Sequence, residues 1–171
     1  MRDRRFVARH RGGLLDIDKH RVLAAWAADC AEHVLRLFEA EADDDRPRRA
    51  VEVARAWAKG EATVGAAQKA AWAAHAAARE VDSAVATAVA RATGHAVATA
   101  HMADHSLGGA VYALRAIRAA GGDVEAERAW QTARIPEDVR ALVLSALASE
   151  RLRRLAPATS TESAPVGRQR A

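Results

Sequence analysis

The sequence predicts an all-α fold, a single-domain antiparallel bundle of about seven alanine-rich helices. Three observations predict it. Alanine fills 46 of 171 positions, and alanine loses no side-chain entropy on entering a helix. Aromatic residues make up only 4% of the chain and the four prolines stand outside the periodic segments, whereas strands draw on β-branched and aromatic side chains. Apolar residues recur at three- and four-residue steps through most of the chain. A chain of 171 residues fits one domain with a real core. Alanine faces let helices approach closely, so larger side chains must fill the remaining gaps. Trp26, Trp57, Trp72 and Trp130 fall in four different predicted helices and are the natural fillers.

The elements follow in order. The first helix opens with Asp16 or Asp18 as N-cap and runs to about Ala42. Leu23, Trp26, Ala27, Cys30, Val34, Leu37 and Phe38 form its apolar face. Asp43, Asp44 and Asp45 interrupt it. Pro47 falls in the first turn of the second helix, where its missing N–H is harmless, and Gly60 stops that helix. Thr63 caps a third helix to about Arg79, carrying Trp72 and His75. Asp82 or Ser83 opens a fourth that continues to about His105, and a fifth spans residues 106–120. Whether these two are one kinked helix is left open by Gly108 and Gly109, which weaken helix by about 1 kcal/mol each relative to alanine. Asp123 caps a sixth helix to about Arg134. Pro136 starts a seventh, with Glu137 and Asp138 near its positive end and Arg151, Arg153 and Arg154 near its negative end.

Charge divides the chain. Residues 1–11 hold five Arg against one Asp, and residues 151–171 hold five Arg against one Glu. Each end therefore carries +4, and residues 12–150 carry the −4 that brings the total to +4. The domain reading is a flexible basic arm over 1–13, a helical domain over 14–155 and a disordered Ser/Thr/Pro-rich tail over 156–171. Short basic ends are most often solvated. The body lacks a basic stripe interleaved with aromatics, so the footprint of a dedicated nucleic-acid binder is missing. A single cysteine, Cys30, excludes an intrachain disulfide and reads as a small buried apolar residue. Without a secretory h-region or an apolar run of about 18 residues, the expectation is a cytoplasmic protein that avoids membranes.

The most specific chemical constellation is GHAVATAHMADH at residues 94–105. On one continuous helix His101, Asp104 and His105 share a face, while His95 lies about 120° away from His101. Two imidazoles and a carboxylate suit zinc or iron, with His95 and His75 as possible supporting groups. Against this, Met102 stands where H-E-x-x-H places its Glu, and a second carboxylate–histidine helix is missing. The bland alternative is a set of half-buried histidines hydrogen-bonding across packed helices. A divalent metal is thus the one cofactor to consider, and the default is none. Asp43, Asp44 and Asp45 read as a solvated loop that caps the second helix, or as an acidic partner-contact patch; they lack the EF-hand pattern. Ser106 and Ser145 lack a nucleophile context and Tyr112 is isolated. No catalytic set emerges, so the reading leans away from an enzyme.

Several phrases taken in order resemble the Imm-5-like family of bacterial putative immunity proteins. They are AAWAADCAEHVLRLFE (24–39), DDDRPRRAVEVARAWAKGEATVGAA (43–67), AAHAAARE (73–80), GHAVATAHMADHSLGGAVYALRAI (94–117) and ERAWQTARIPEDVRALVLS (127–145). The resemblance spans residues 18–146 and leaves out both basic ends. It implies an all-helical, non-catalytic member of a toxin–antitoxin pair, a monomer or small homo-oligomer that binds and neutralises a cognate protein toxin. It carries over no catalytic residue. The acidic body fits that role, because nuclease toxins tend to be basic and complementary charge speeds association. A metal-binding helical protein or enzyme built on the histidines, and a nucleic-acid accessory protein using the Arg-rich ends, are the competing readings.

Overall fold

The computed structural model describes residues 3–149. Among them are seven α-helices: α1 (Ile17–Glu39), α2 (Arg46–Lys59), α3 (Val64–Glu80), α4 (Ala84–Ala98), α5 (His105–Ala119), α6 (Val124–Ala133) and α7 (Glu137–Leu147). The caps follow the sequence closely. Asp16, Thr63, Ser83 and Asp123 each accept backbone N–H groups from the first turn of α1, α3, α4 and α6, each such cap contributing about 1 kcal/mol. Gly60 closes α2 at φ 83°, a conformation that suits glycine because it lacks a Cβ.

Helix α4 is the central element and packs against α1, α2, α3 and α5. Its sequence, AVATAVARATGHAVA, holds no side chain larger than His and Arg, and ten of its residues are buried. Small faces are what allow one helix to take four neighbours at close range. The large fillers come from the surrounding helices: Leu23, Trp26, Val34 and Phe38 of α1, and Trp57 of α2. Cys30 is fully buried beside them, and burial pushes its thiol well above the usual range. Two of the four tryptophans therefore fill the core as expected. Trp130 is half-buried, and Trp72 is 70% exposed on the outer side of α3. The periodicity placed Trp72 in a helix, but that helix turns this position away from α4.

The fourth and fifth helices are two, and the break corrects the expectation of one helix reaching His105. Helix α4 ends at Ala98, residues 99–104 form turns, and α5 starts at His105. The cause lies in α1. His20 is buried, and its Nε2 donates to the Thr99 carbonyl at 2.6 Å, the acceptor that a continuing helix would offer to the N–H of residue 103. The chain tightens into three-residue bonds, with Ala100 N–H to Val97 and His101 N–H to Ala98. Burial lowers the His20 pKa, which keeps the ring in the neutral form with Nε2 protonated.

The N-terminal segment also differs from the flexible arm expected of it. From Asp3 onward it folds onto the body through two 3-10 turns and an isolated bridge between Ala8 and Leu15. Phe6, 2% exposed, joins Leu15, Trp26, Leu107, Ile135 and Val143 in a second core cluster. Composition hid this because one phenylalanine among five arginines supplies the anchor. Arg151, Arg153, Arg154 and the 156–171 tail lie outside the described residues.

Candidate functional site

The break between α4 and α5 gathers the histidines differently from a single helix. His95, on the last turns of α4, meets His105, the first residue of α5, with their Nδ1 atoms 3.1 Å apart. One Nδ1 must carry a proton and the other must be bare for that hydrogen bond to form. The His75 and His95 rings are 5.3 Å apart, and the His101 and His105 rings 5.2 Å. A row of four imidazoles thus runs from α3 to the turn, and His95, placed apart by helical geometry, is central to it.

Two glycines make room for the row. A Cβ on Gly94 would lie 2.6 Å from the His75 ring, and one on Gly108 would lie 2.7 Å from Nδ1 of His95. Arg91 approaches Nδ1 of His75 at 3.4 Å, so that nitrogen is the acceptor. Burial, reinforced by the neighbouring His105, His75 and Arg91, lowers His95 to about 3. Burial followed by Arg91 lowers His75 to about 4. Both are neutral at physiological pH.

His95, Asp104 and His105 open onto a cleft of about 490 Å³. Its floor is Leu107, Gly108 and Val111 of α5, and Met102 and Phe6 add apolar wall. Tyr112 stacks on the His95 ring at 5.1 Å, and the Arg115 guanidinium lies 4.9 Å from the centre of the Tyr112 ring. Arg5, paired with Asp3, reaches across to Ser145 Oγ at 2.9 Å and ties the N-terminal segment to α7 at the rim. His101 lines a different hollow, of about 180 Å³, with His20, Trp57 and Arg21. The expected trio of His101, Asp104 and His105 is therefore divided between two hollows. Among the described residues, no group of three or more His, Cys, Asp or Glu is placed to hold a metal ion.

Sequence reasoning missed Tyr112, Arg115, Arg5 and Phe6. The signal for the first two was available: counted from His105, positions 105, 108, 112 and 115 recur at three- and four-residue steps along one face of α5. It was obscured by running α4 through to His105.

The aspartate run is less bare than its sequence. Asp44 accepts the Arg46 N–H at 2.9 Å and pairs with its guanidinium, which also reaches Glu80. Asp45 pairs with Arg49 at 2.6 Å, and Arg48 pairs with Glu39. Asp45 stands at the N-cap position of α2 without a side-chain cap bond. Asp44 and Asp45 thus each meet an arginine of α2, so any patch here is a mosaic of both signs.

A second polar cluster ties α6 to α1. Glu127, 4% exposed, meets Nδ1 of His33 at 2.7 Å and accepts from Gln131 at 2.9 Å. Gln131 bridges on to the Ala110 carbonyl, and its own carbonyl accepts the Trp26 indole N–H at 3.1 Å. His33 stacks flat on Trp130 at 3.7 Å, and Arg134 covers Trp130. These bonds satisfy a buried carboxylate and serve packing.

Fold and cleft together define an alanine-built α-bundle around a small-residue central helix. The profile of the Imm-5 like putative immunity protein family matches residues 13–138. The chain belongs to that family. No curated protein and no solved structure matches it. Among the described residues, no helix is long and apolar enough to cross a membrane.

Proposed function

We propose that this protein binds and neutralises a cognate protein toxin by occupying its surface, without turnover of its own. The observation that carries the reading is the family match over residues 13–138. The −4 charge of residues 12–150 supports a basic partner, since opposite charge raises association rates. Trp72 supports a contact surface on α3, because an exposed tryptophan is the residue type most enriched among interface hot spots. The mosaic around Asp43, Asp44 and Asp45 is a second contact candidate.

The test is co-expression with the toxin encoded beside this gene, followed by titration of the purified pair. Protection of growth and a stoichiometric complex that weakens with added salt are expected. A gene neighbourhood without a toxin, and no protection on co-expression, would refute the reading.

A metal-binding protein is the second reading, built on the His95–His105 pair, with Asp104 in the same cleft and His101 opening onto a different hollow. One observation favours it: the 3.1 Å between Nδ1 of His95 and His105 is near the separation of two nitrogens on one tetrahedral ion, about 3.3 Å for Zn–N bonds of about 2.05 Å. Elemental analysis of protein purified without a His-tag decides it. Metal-free protein that gains no thermal stability from zinc, iron or manganese sinks it.

A further inference from the structure

We propose that the hollow between the N-terminal segment, the start of α1 and the α2–α3 loop receives an acidic side chain, Asp or Glu, presented by a partner protein. The exposed apolar side chains at its rim would meet apolar groups beside that acid. The contact rests on the toxin-binding reading and names the chemistry that the toxin brings to it.

The hollow holds about 180 Å³, and its lining includes Arg11, Ile17, Arg21, Trp57, Ala62 and Val64. That is below the ~300–1,000 Å³ of pockets that enclose small organic ligands. It equals about six water molecules by volume, the scale of one side chain. The lining contains two arginines and no aspartate or glutamate, so the field inside favours an anion. His20 is held neutral by burial, and its Nε2 is committed to the Thr99 carbonyl, so the two guanidiniums carry the selection. Among the described residues neither guanidinium has a hydrogen-bond or ion-pair partner, and Nε of Arg21 is buried without one. The Arg21 guanidinium lies over Gly60, with Nη2 3.0 Å from where a Cβ on that residue would stand. Packing alone holds it there. Turning toward an incoming carboxylate therefore breaks no protein hydrogen bond and gives the buried N–H an acceptor.

The rim points to a carboxylate carried by a protein rather than a free ion. Ile17 and Val64 line the hollow and are 49% and 39% exposed. Leu14, also exposed, precedes Ile17 by three residues. These are three of the five large apolar side chains exposed among the described residues, and Trp72 is a fourth. Trp72 stands eight positions after Val64 on α3, about 12 Å further along the axis, within reach of the same partner surface. Cations set inside an apolar ring suit a contact that is closed off from water when the partner docks. The −4 charge of residues 12–150 acts at long range and favours the approach of a basic toxin, whereas the hollow selects the one side chain that enters it.

The experiment uses the full chain and three analogues of side chains: butyrate, butyramide and butylammonium. Saturable shifts of the Arg21 Nε–H, Trp57 indole and Val64 methyl resonances are expected with butyrate in the millimolar range. Butyramide should bind at least about fivefold more weakly, and butylammonium should not saturate. Arg21→Gln should remove the preference for butyrate over butyramide, which a merely structural role would not produce. Val64→Trp should block entry, and Ala62→Leu does the same from the loop should the first variant fold poorly. With the toxin encoded beside this gene, Arg21→Gln should weaken the complex about tenfold or more, whereas Arg128→Gln on α6, paired with Glu125, should change it less than about twofold. Absence of saturation by butyrate, equal affinity for butyramide, or saturation that survives in every folded blocking variant overturns the site. A toxin complex unmoved by Arg21→Gln overturns its use in partner binding and leaves the toxin reading standing. Butyrate binding as expected in a chain that forms no toxin complex refutes the toxin reading and leaves the carboxylate site.

Discussion

Lowering the pH from about 7.5 to about 5.0 should destabilise the protein by about 4 kcal/mol through His75 and His95 alone. The sign follows from the direction of their shifts. An unfolded imidazole titrates near 6.5, whereas burial holds His75 at about 4 and His95 at about 3 in the fold. Below about pH 6.5 the unfolded chain takes up protons that the folded chain refuses, so stability falls as pH falls toward the folded values. At about pH 5.0 the window already crossed is about 1.5 pH units for each ring, which at 1.36 kcal/mol per unit is about 2 kcal/mol per histidine. Both rings are half-buried rather than exposed, so little of this is lost to solvent screening. His20, also lowered by burial, acts in the same direction. The lowered carboxylates Asp3, Asp44 and Glu80 contribute stability that is lost only as pH falls below the usual carboxylate range, beneath this window. Urea unfolding followed by circular dichroism across about pH 5.0–7.5 measures the slope. His95→Asn should remove about half of it, whatever it does to stability at neutral pH. A stability that changes by less than about 1 kcal/mol across the window refutes the buried neutral row.

Other expectations follow from packing. Gly94→Ala and Gly108→Ala should each lower stability by about 1–3 kcal/mol, because the new Cβ meets an imidazole at 2.6 or 2.7 Å and overpacking outweighs the better helix propensity. Gly65→Ala, whose Cβ would have only Thr63 Oγ1 at 3.9 Å, should instead stabilise by up to about 1 kcal/mol, and paired thermal melts compare the three. Glu127→Ala should cost about 2–4 kcal/mol in denaturant unfolding, since it strips the partner from buried Gln131 and from His33. Trp26→Ala should cost about 3–5 kcal/mol, whereas Trp72→Ala should stay within about 0.5 kcal/mol and weaken toxin binding only.

The legible part of the fold was the part set by local chemistry. Asp16, Thr63, Ser83 and Asp123 cap because their side chains reach N–H groups two or three residues away, a property contained in the local sequence. The site was only half legible, because its geometry depends on a contact between residues 79 positions apart. His20 takes the Thr99 carbonyl, and nothing within residues 94–105 announces it. With that carbonyl engaged, α4 stops, α5 starts at His105, and His95 turns from an outlier into the partner of His105. Trp72 failed for a related reason: periodicity gives a helix its faces, while the choice of which face meets the core is made by the neighbouring helices.

The same contact accounts for the placement of the cleft. A continuous helix from α4 through α5 would carry His95 and His105 on one rod, ten residues and about 15 Å apart along the axis. Folding at residues 99–104 sets the two helices side by side. Gly108 opens the recess for His95, where a Cβ would lie 2.7 Å from its Nδ1, whereas a Cβ on Gly109 would make ordinary contacts with Ala96 and Ala27. Gly108, which weakens α5 as an isolated helix, is therefore what lets the His95 ring of α4 lie against α5. Gly94 and Gly108, which look like faults by propensity, are the residues that make room for the imidazole row. His20→Phe tests this dependence directly, since it keeps a ring of similar bulk against Trp57 while removing the donor to Thr99. The variant should lose about 1–3 kcal/mol and shift the His95 and His105 ring resonances from some distance away. Unchanged resonances in a folded variant would show that the turn holds the histidines together without His20.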